Sequence, residues 1–204
     1  MALATYSELV STVESYLART DLTSIIPTFV QLAQDRMTRD LRTREMLKVV
    51  TTTTTGGDAT VELPSDFLEM REIHFDANPA ITLQYQSPDL FFRNRVTTDS
   101  GVPEFYSIIG QEFQFAPEPD SSYTIQMLYY AQPTYISSSV SSNLYLANFS
   151  DALLYATLAE AEPYLMNDAR IQVWATMYDR AISNILKNDL GTKYPNTSLN
   201  VVPR

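Results

Sequence analysis

One histidine and a scatter of carboxylates are the side chains here with the means for catalysis. His74 lies between Ile73 and Phe75, inside a run that reads as a strand. A general base needs an orienting partner and a nucleophile beside it. No motif supplies either, so His74 is assigned a structural place. Glycoside hydrolysis needs only two carboxylates. Asp66, Glu69, Glu104, Glu112 and Glu118 share one stretch of chain. Spacing along a chain says nothing of spacing across a sheet, and solvated surface carboxylates are the ordinary reading. With no cysteine, thiolate nucleophiles, thiolate zinc sites and disulfides are excluded. The glycines Gly56, Gly57, Gly101, Gly110 and Gly191 build no G-x-G-x-x-G or G-x-x-x-x-G-K cradle and no G-x-S-x-G elbow. No catalytic residue, metal or cofactor is expected.

Cations and aromatics point instead to contact between proteins. Arg36, Arg39, Arg42 and Arg44 crowd one short stretch, interleaved with Asp35, Asp40 and Glu45. Asp35–Arg39 and Arg36–Asp40 have i,i+4 spacing, worth about 0.3–0.5 kcal/mol each when exposed. The plain reading is a salt-bridged solvent face. The functional reading is a subunit or partner contact, because arginine is enriched at interfaces. The 204-residue chain carries a net charge of −10, the wrong sign for gripping nucleic acid. A negative wall can still surround DNA without adhering to it. Thirteen tyrosines are many. Tyr129, Tyr130 and Tyr135 cannot all face one core if they alternate on strands. Thr51–Thr55 reads as a polar, β-branched edge, open to extension by another chain.

The elements that must position these residues follow from period and punctuation. Tyr6, Leu9, Val10, Val13 and Leu17 make one helical stripe, with Thr5 and Glu8 at capping-box spacing. A second helix begins near residues 25–28 with Pro27 in its first turn, and Phe29, Leu32, Ala33, Met37 and Leu41 form its stripe. From Met46 the period changes. β-branched runs on both sides of Gly56-Gly57-Asp58 read as a hairpin. Further strands are expected over 69–75, 81–85, 105–109, 112–115 and 123–130, with a turn at Gly110-Gln111 and a short helical turn opening at Ser87-Pro88-Asp89. Helix returns near Asn148, capped by Asn148 or Ser150, apolar on most sides, and kinked or ended by Pro163. Asn167 is expected to cap a last helix striped by Ile171, Trp174, Tyr178, Ala181, Ile185 and Leu186, with Gly191 as its stop.

The order is helices, strands, helices. It predicts an α+β fold: a four-helix bundle from 1–45 and 148–190, an inserted antiparallel β-domain over 46–147, and an extended tail over 191–204. The tail, rich in Asn, Thr and Pro, is expected to be mobile in the free monomer. No basic-then-apolar leader precedes the first helix, and no stretch has the apolar length of a membrane span. The expectation is a soluble protein made in a reducing cytoplasm.

Three segments, taken in order, resemble a known family. Leu32 through Met46 is similar to the second-helix signature of head-to-tail adaptor (connector) proteins of short-tailed bacteriophages. Leu63-Pro64-Ser65-Asp66-Phe67-Leu68-Glu69-Met70 resembles the segment after their first hairpin. Leu153 to Leu165, with Trp174 and Tyr178-Asp179-Arg180-Ala181, resembles their C-terminal helix pair. The resemblance implies a structural virion protein made in the host cytoplasm. It implies a ring, dodecameric in the family's manner, that joins the portal protein to the tail nozzle protein and lines the DNA channel without specific DNA binding. It implies no enzymatic role, cofactor or membrane anchor. The portal-contact candidates are Tyr194, Leu199, Val201, Val202 and Arg204. The intersubunit candidates are Arg36, Arg39, Arg42, Arg44, Thr51 and Thr53. The alternatives are a virion-associated glycan (peptidoglycan) hydrolase using two carboxylates of the strand block, with Asp66 and Glu69 the ones to test, a nozzle or fibre-attachment subunit, and a cellular protein-binding module.

Overall fold

The computed structural model describes residues 3–19, 21–75, 81–94, 100–165 and 171–193. The chain is mixed α+β and divides into two units, one from Met1–Glu45 with Pro133–Arg204, the other Met46–Gln132.

In the helical unit, α1 (Tyr6–Leu17) starts on the expected capping box: the Thr5 hydroxyl accepts from the Glu8 amide, and the Glu8 carboxylate accepts from the Thr5 amide. Leu9, Val13 and Leu17 are its buried row. Helix α2 (Ile26–Asp40) has Pro27 in its first turn, where no amide donor is missed. It buries Ile26, Phe29, Val30, Ala33 and Met37, while Leu32 is 44% exposed and leaves the expected stripe. The buried set recurs at three and four residues from Ile26, and Leu32 falls about a third of a turn from the centre of that row.

Helix returns earlier than expected, as a short α4 (Leu144–Asn148) whose cap is Asn143, accepting from the Leu146 amide at 3.0 Å. The Asn148 side-chain amide donates to Glu45 Oε2 at 2.7 Å. Helix α5 (Ser150–Leu165) follows, buried on most sides, and packs against α1, α2, α4 and α6 (Ile171–Lys193). Two stop signals are overridden. Pro163 lies inside α5 two residues from its end, where it removes a single backbone bond. Gly191 lies inside α6, which continues to Lys193. A helical glycine costs only about 1 kcal/mol against alanine. The proposed Asn167 cap falls outside the described residues.

In the strand unit, β1 (Leu47–Thr53), β10 (Thr124–Ala131), β3 (Phe67–Phe75) and β4 (Ile81–Thr82) form one antiparallel sheet in that order. A second sheet runs β2 (Thr60–Glu62), β8 (Glu112–Ala116), β7 (Phe105–Ile109), β5 (Gln84–Tyr85), with the last pair parallel. β6 (Ser100–Gly101) and β9 (Glu118–Pro119) form a small parallel pair, and α3 (Pro88–Asn94) packs on β7. Alternate residues of both sheets meet in one core: Ile73, Phe75, Phe113, Phe115, Ile125, Met127 and Tyr129.

The expected hairpin does not form, because β1 pairs with β10 and β2 with β8, in different sheets. The glycine pair carries the chain from one sheet to the other. A Cβ on Gly56 would stand 3.0 Å from the Asp120 carbonyl oxygen. Gly57 sits at φ +81° with its amide on Pro119. Likewise 81–85 is not one strand. Leu83, 4% exposed, is the joint between β4 and β5. Tyr129 and Tyr130 are both buried, but only Tyr129 joins the strand-unit core, with Ile125 and Met127 at alternate positions of β10, as the period of a strand requires. The β10–β3 register shifts between Leu128 and Tyr129 and again after Tyr130, with the extra residues on β3.

Candidate interaction surfaces

The arginine cluster divides into internal and exposed members. Arg36 reaches out from α2. Its guanidinium lies 4.3 Å over the Tyr178 ring of α6, with Nε 3.9 Å from Asp40 Oδ2 and Nη1 3.4 Å from Glu160 Oε1 of α5. The Tyr178 hydroxyl donates to Asp40 Oδ2 at 2.7 Å. Arg36 thus ties three helices together. Arg42 turns back on its own helix and donates through Nη1 to the carbonyls of Thr38 and Leu41, both at 2.6 Å, satisfying orphan acceptors at the end of α2. Arg39 and Arg44 are exposed. The expected Arg36–Asp40 pair is present, while Asp35 accepts from the Tyr135 hydroxyl at 2.8 Å.

A polar network missing from the sequence reading fastens the segment after β10 to α2. Gln34, 1% exposed, accepts from the Ile136 amide at 2.7 Å and from Asn143 Nδ2 at 3.0 Å, and donates to the Ile136 carbonyl at 3.3 Å. The Thr38 hydroxyl sits 3.1 Å and 3.0 Å from those of Tyr135 and Tyr145. Burial pushes the Tyr145 phenol up to about 12. The only signal for this network was polar residues on an otherwise apolar helix face.

The catalytic candidates have structural partners. Asp66 accepts from Lys48 Nζ at 2.6 Å and from the Tyr129 hydroxyl at 2.7 Å, clamping β1 and β10. Burial, the largest influence, raises its pKa, yet the Lys48 and Tyr129 hydrogen bonds together leave the carboxyl below its ordinary value. His74 Nε2 lies 2.9 Å from Gln126 Oε1 on the neighbouring strand.

Thr51 and Thr53 are exposed on β1, which is an edge of its sheet, along with Val49 at 58% exposure. Tyr194, Leu199, Val201, Val202 and Arg204 lie outside the described residues. In the helical unit a groove of about 290 Å³ lies among Thr43, Arg44, Glu45, Asp151 and Asp189. Asp189 Oδ1 accepts from the Arg44 amide at 2.9 Å, closing one wall of it. Among the described residues no helix is long and apolar enough to cross a membrane.

These surfaces hold charge and edges, with Asp66 and His74 tied into the fold and Glu69, Glu104 and Glu112 exposed. The family model described as SU10 adaptor protein matches residues 4–201. No curated protein matches the chain.

Proposed function

The chain belongs to the SU10 adaptor protein family, phage virion components with a structural role, and from that premise we propose that it forms a ring joining the portal to the tail nozzle and lining the DNA channel. The observation that carries this reading is the match itself, which runs through helices, strand unit and most of the tail segment. In this reading α1, α2, α5 and α6 act as a four-helix bundle, and the inserted β-domain and the tail are separate contact modules. Copies in the ring, dodecameric in our proposal, meet through Arg39 and Arg44, the exposed members of the arginine cluster, and through Thr51 and Thr53 on the β1 edge, while Arg36 and Arg42 serve the fold. Tyr194, Leu199, Val201, Val202 and Arg204 contact the portal.

The physics favours ordered assembly. A portal already in a ring presents adjacent docking sites, so the second copy binds beside the first at high effective concentration. Segments that gain partners only there recover their ordering entropy only there. With −10 on each copy, the lumen repels phosphate, and DNA slides with little adhesion. Deleting residues 192–204 tests the portal contact. We expect the truncated chain to keep its fold and lose binding to purified portal. Undiminished binding removes the tail from the contact.

A further inference from the structure

We propose that, in a copy not yet on the portal, the chain's own tail segment 196–202 pairs with the open edge of β1, and that docking of the tail on the portal uncovers this edge for the neighbouring copy. The release step rests on the ring reading above; the cover stands apart from it.

Among the described residues the two larger sheets have four edges. β4 and β5 hold two residues each and β2 holds three, so these edges are blunted by shortness. β1 holds seven, and its pairing with β10 runs unbroken from Leu47 to Thr53. The Thr54 amide donates to the Tyr123 carbonyl at 2.9 Å, which fixes the phase of the ladder. Lys48, Val50 and Thr52 therefore turn their backbone groups to β10, while Val49, Thr51 and Thr53 turn theirs to the open side. The guards that keep an edge from pairing are missing: β1 has no proline and no bulge, and no charge stands between Val49 and Thr55. Its one charged side chain, Lys48, is held by Asp66 at 2.6 Å. Val49 adds an apolar side chain at 58% exposure. Such an edge takes up an extended segment through main-chain hydrogen bonds.

The chain carries a segment of that kind. Eleven residues follow Lys193, the last of α6. Seven of them, 196–202, lie between Pro195 and Pro203 and hold no charge, proline or glycine. Thr197, Leu199 and Val201 alternate with Ser198 and Asn200, the period of a strand with one apolar face. The flanking prolines lack an amide donor and bound the pairing to the length of β1. Reach is sufficient. Asp189, four residues before the end of α6, is bonded to the amide of Arg44, three residues ahead of β1. Extended, eleven residues reach about 36–40 Å, and seven paired ones need about 23 Å. A tethered segment stands at the edge at an effective concentration on the order of millimolar, which a second copy in solution does not match. Leu199, Val201 and Val202 are also the portal candidates, so portal and edge compete for one segment.

The test is amide hydrogen exchange, read residue by residue, on the full chain and on a chain lacking residues 194–204, both as single copies without portal. We expect the Val49, Thr51 and Thr53 amides to exchange about tenfold or more slowly in the full chain than in the truncated one. The Val50 and Thr52 amides, bonded to β10, should exchange alike in both and so report an intact fold. Val201→Pro removes a donor from the middle of the segment and should match the truncated chain. Equal exchange at the three amides in the full, truncated and Val201→Pro chains overturns the cover. Protection that rises with chain concentration assigns the edge to a second copy and overturns it too. With less than one copy per portal ring the three amides should lose their protection, and protection kept there overturns the release. A full chain that shows the cover but never gathers neighbours on purified portal overturns the ring reading and the release step with it, leaving the cover standing.

Discussion

Arg36 folds its guanidinium over Tyr178, while Arg39, three residues on, stays exposed. The difference separates fold from assembly. Arg36→Ala loses a cation–π contact on a buried ring and two ion pairs, and is expected to cost about 1–2 kcal/mol in urea unfolding. Arg39→Ala is expected to stay within about 0.5 kcal/mol of the parent. Equal losses would contradict the division.

Titration reads the same logic at both ends of the pH scale. The Asp66 carboxyl is lowered, so its contribution is present above the unfolded value near 4 and is lost as pH falls through the folded value. Asp66→Asn should flatten the acid limb of stability. The Tyr129 and Tyr178 phenols are raised, by burial first and then by Asp66 and Asp40 respectively, and Tyr145 chiefly by burial. Their contribution is full below about pH 10 and is lost as pH rises through the folded values. Unfolding should therefore accompany tyrosinate absorbance above that pH, and Tyr178→Phe should shift both upward.

At the scale of elements, the Gln34 latch decides where the chain leaves the strands. Segment 133–143 has little regular structure, and Gln34 satisfies both the amide and the carbonyl of Ile136 from α2. Gln34→Ala strands those groups and Asn143, at about 2–4 kcal/mol. Hydrogen exchange at the Ile136 amide should accelerate well before that of α5. Unchanged protection at Ile136 would mean that the latch is dispensable.

The sequence showed the local features and hid the distant ones. The Thr5–Glu8 box and the turn at Gly110-Gln111 are set by neighbours within a few residues, and both were legible. β1 instead finds β10 more than seventy residues on, and no local signal distinguishes that pairing from a hairpin across Gly56-Gly57. Pro163 and Gly191 weaken a helix by amounts that tertiary packing outweighs. The candidate surfaces follow the same rule. The Arg36–Asp40 spacing was readable, whereas Glu160 and Tyr178 join it only through the packing of α2, α5 and α6. The groove at Thr43 is likewise assembled from three parts of the chain.

For the whole molecule, charge limits what free copies can do. At −10 they repel at long range, with the repulsion damped beyond about 8 Å at physiological salt. Association therefore waits for contacts that pair opposite charges at close range, and a portal ring supplies the proximity. The most direct measurement is the mass of the full chain in solution, alone and then mixed with purified portal. Our account predicts a single copy alone and a step to many copies, about twelve, on one portal ring. A chain that stays a single copy in the presence of portal, or that closes a ring of its own without it, would contradict the account.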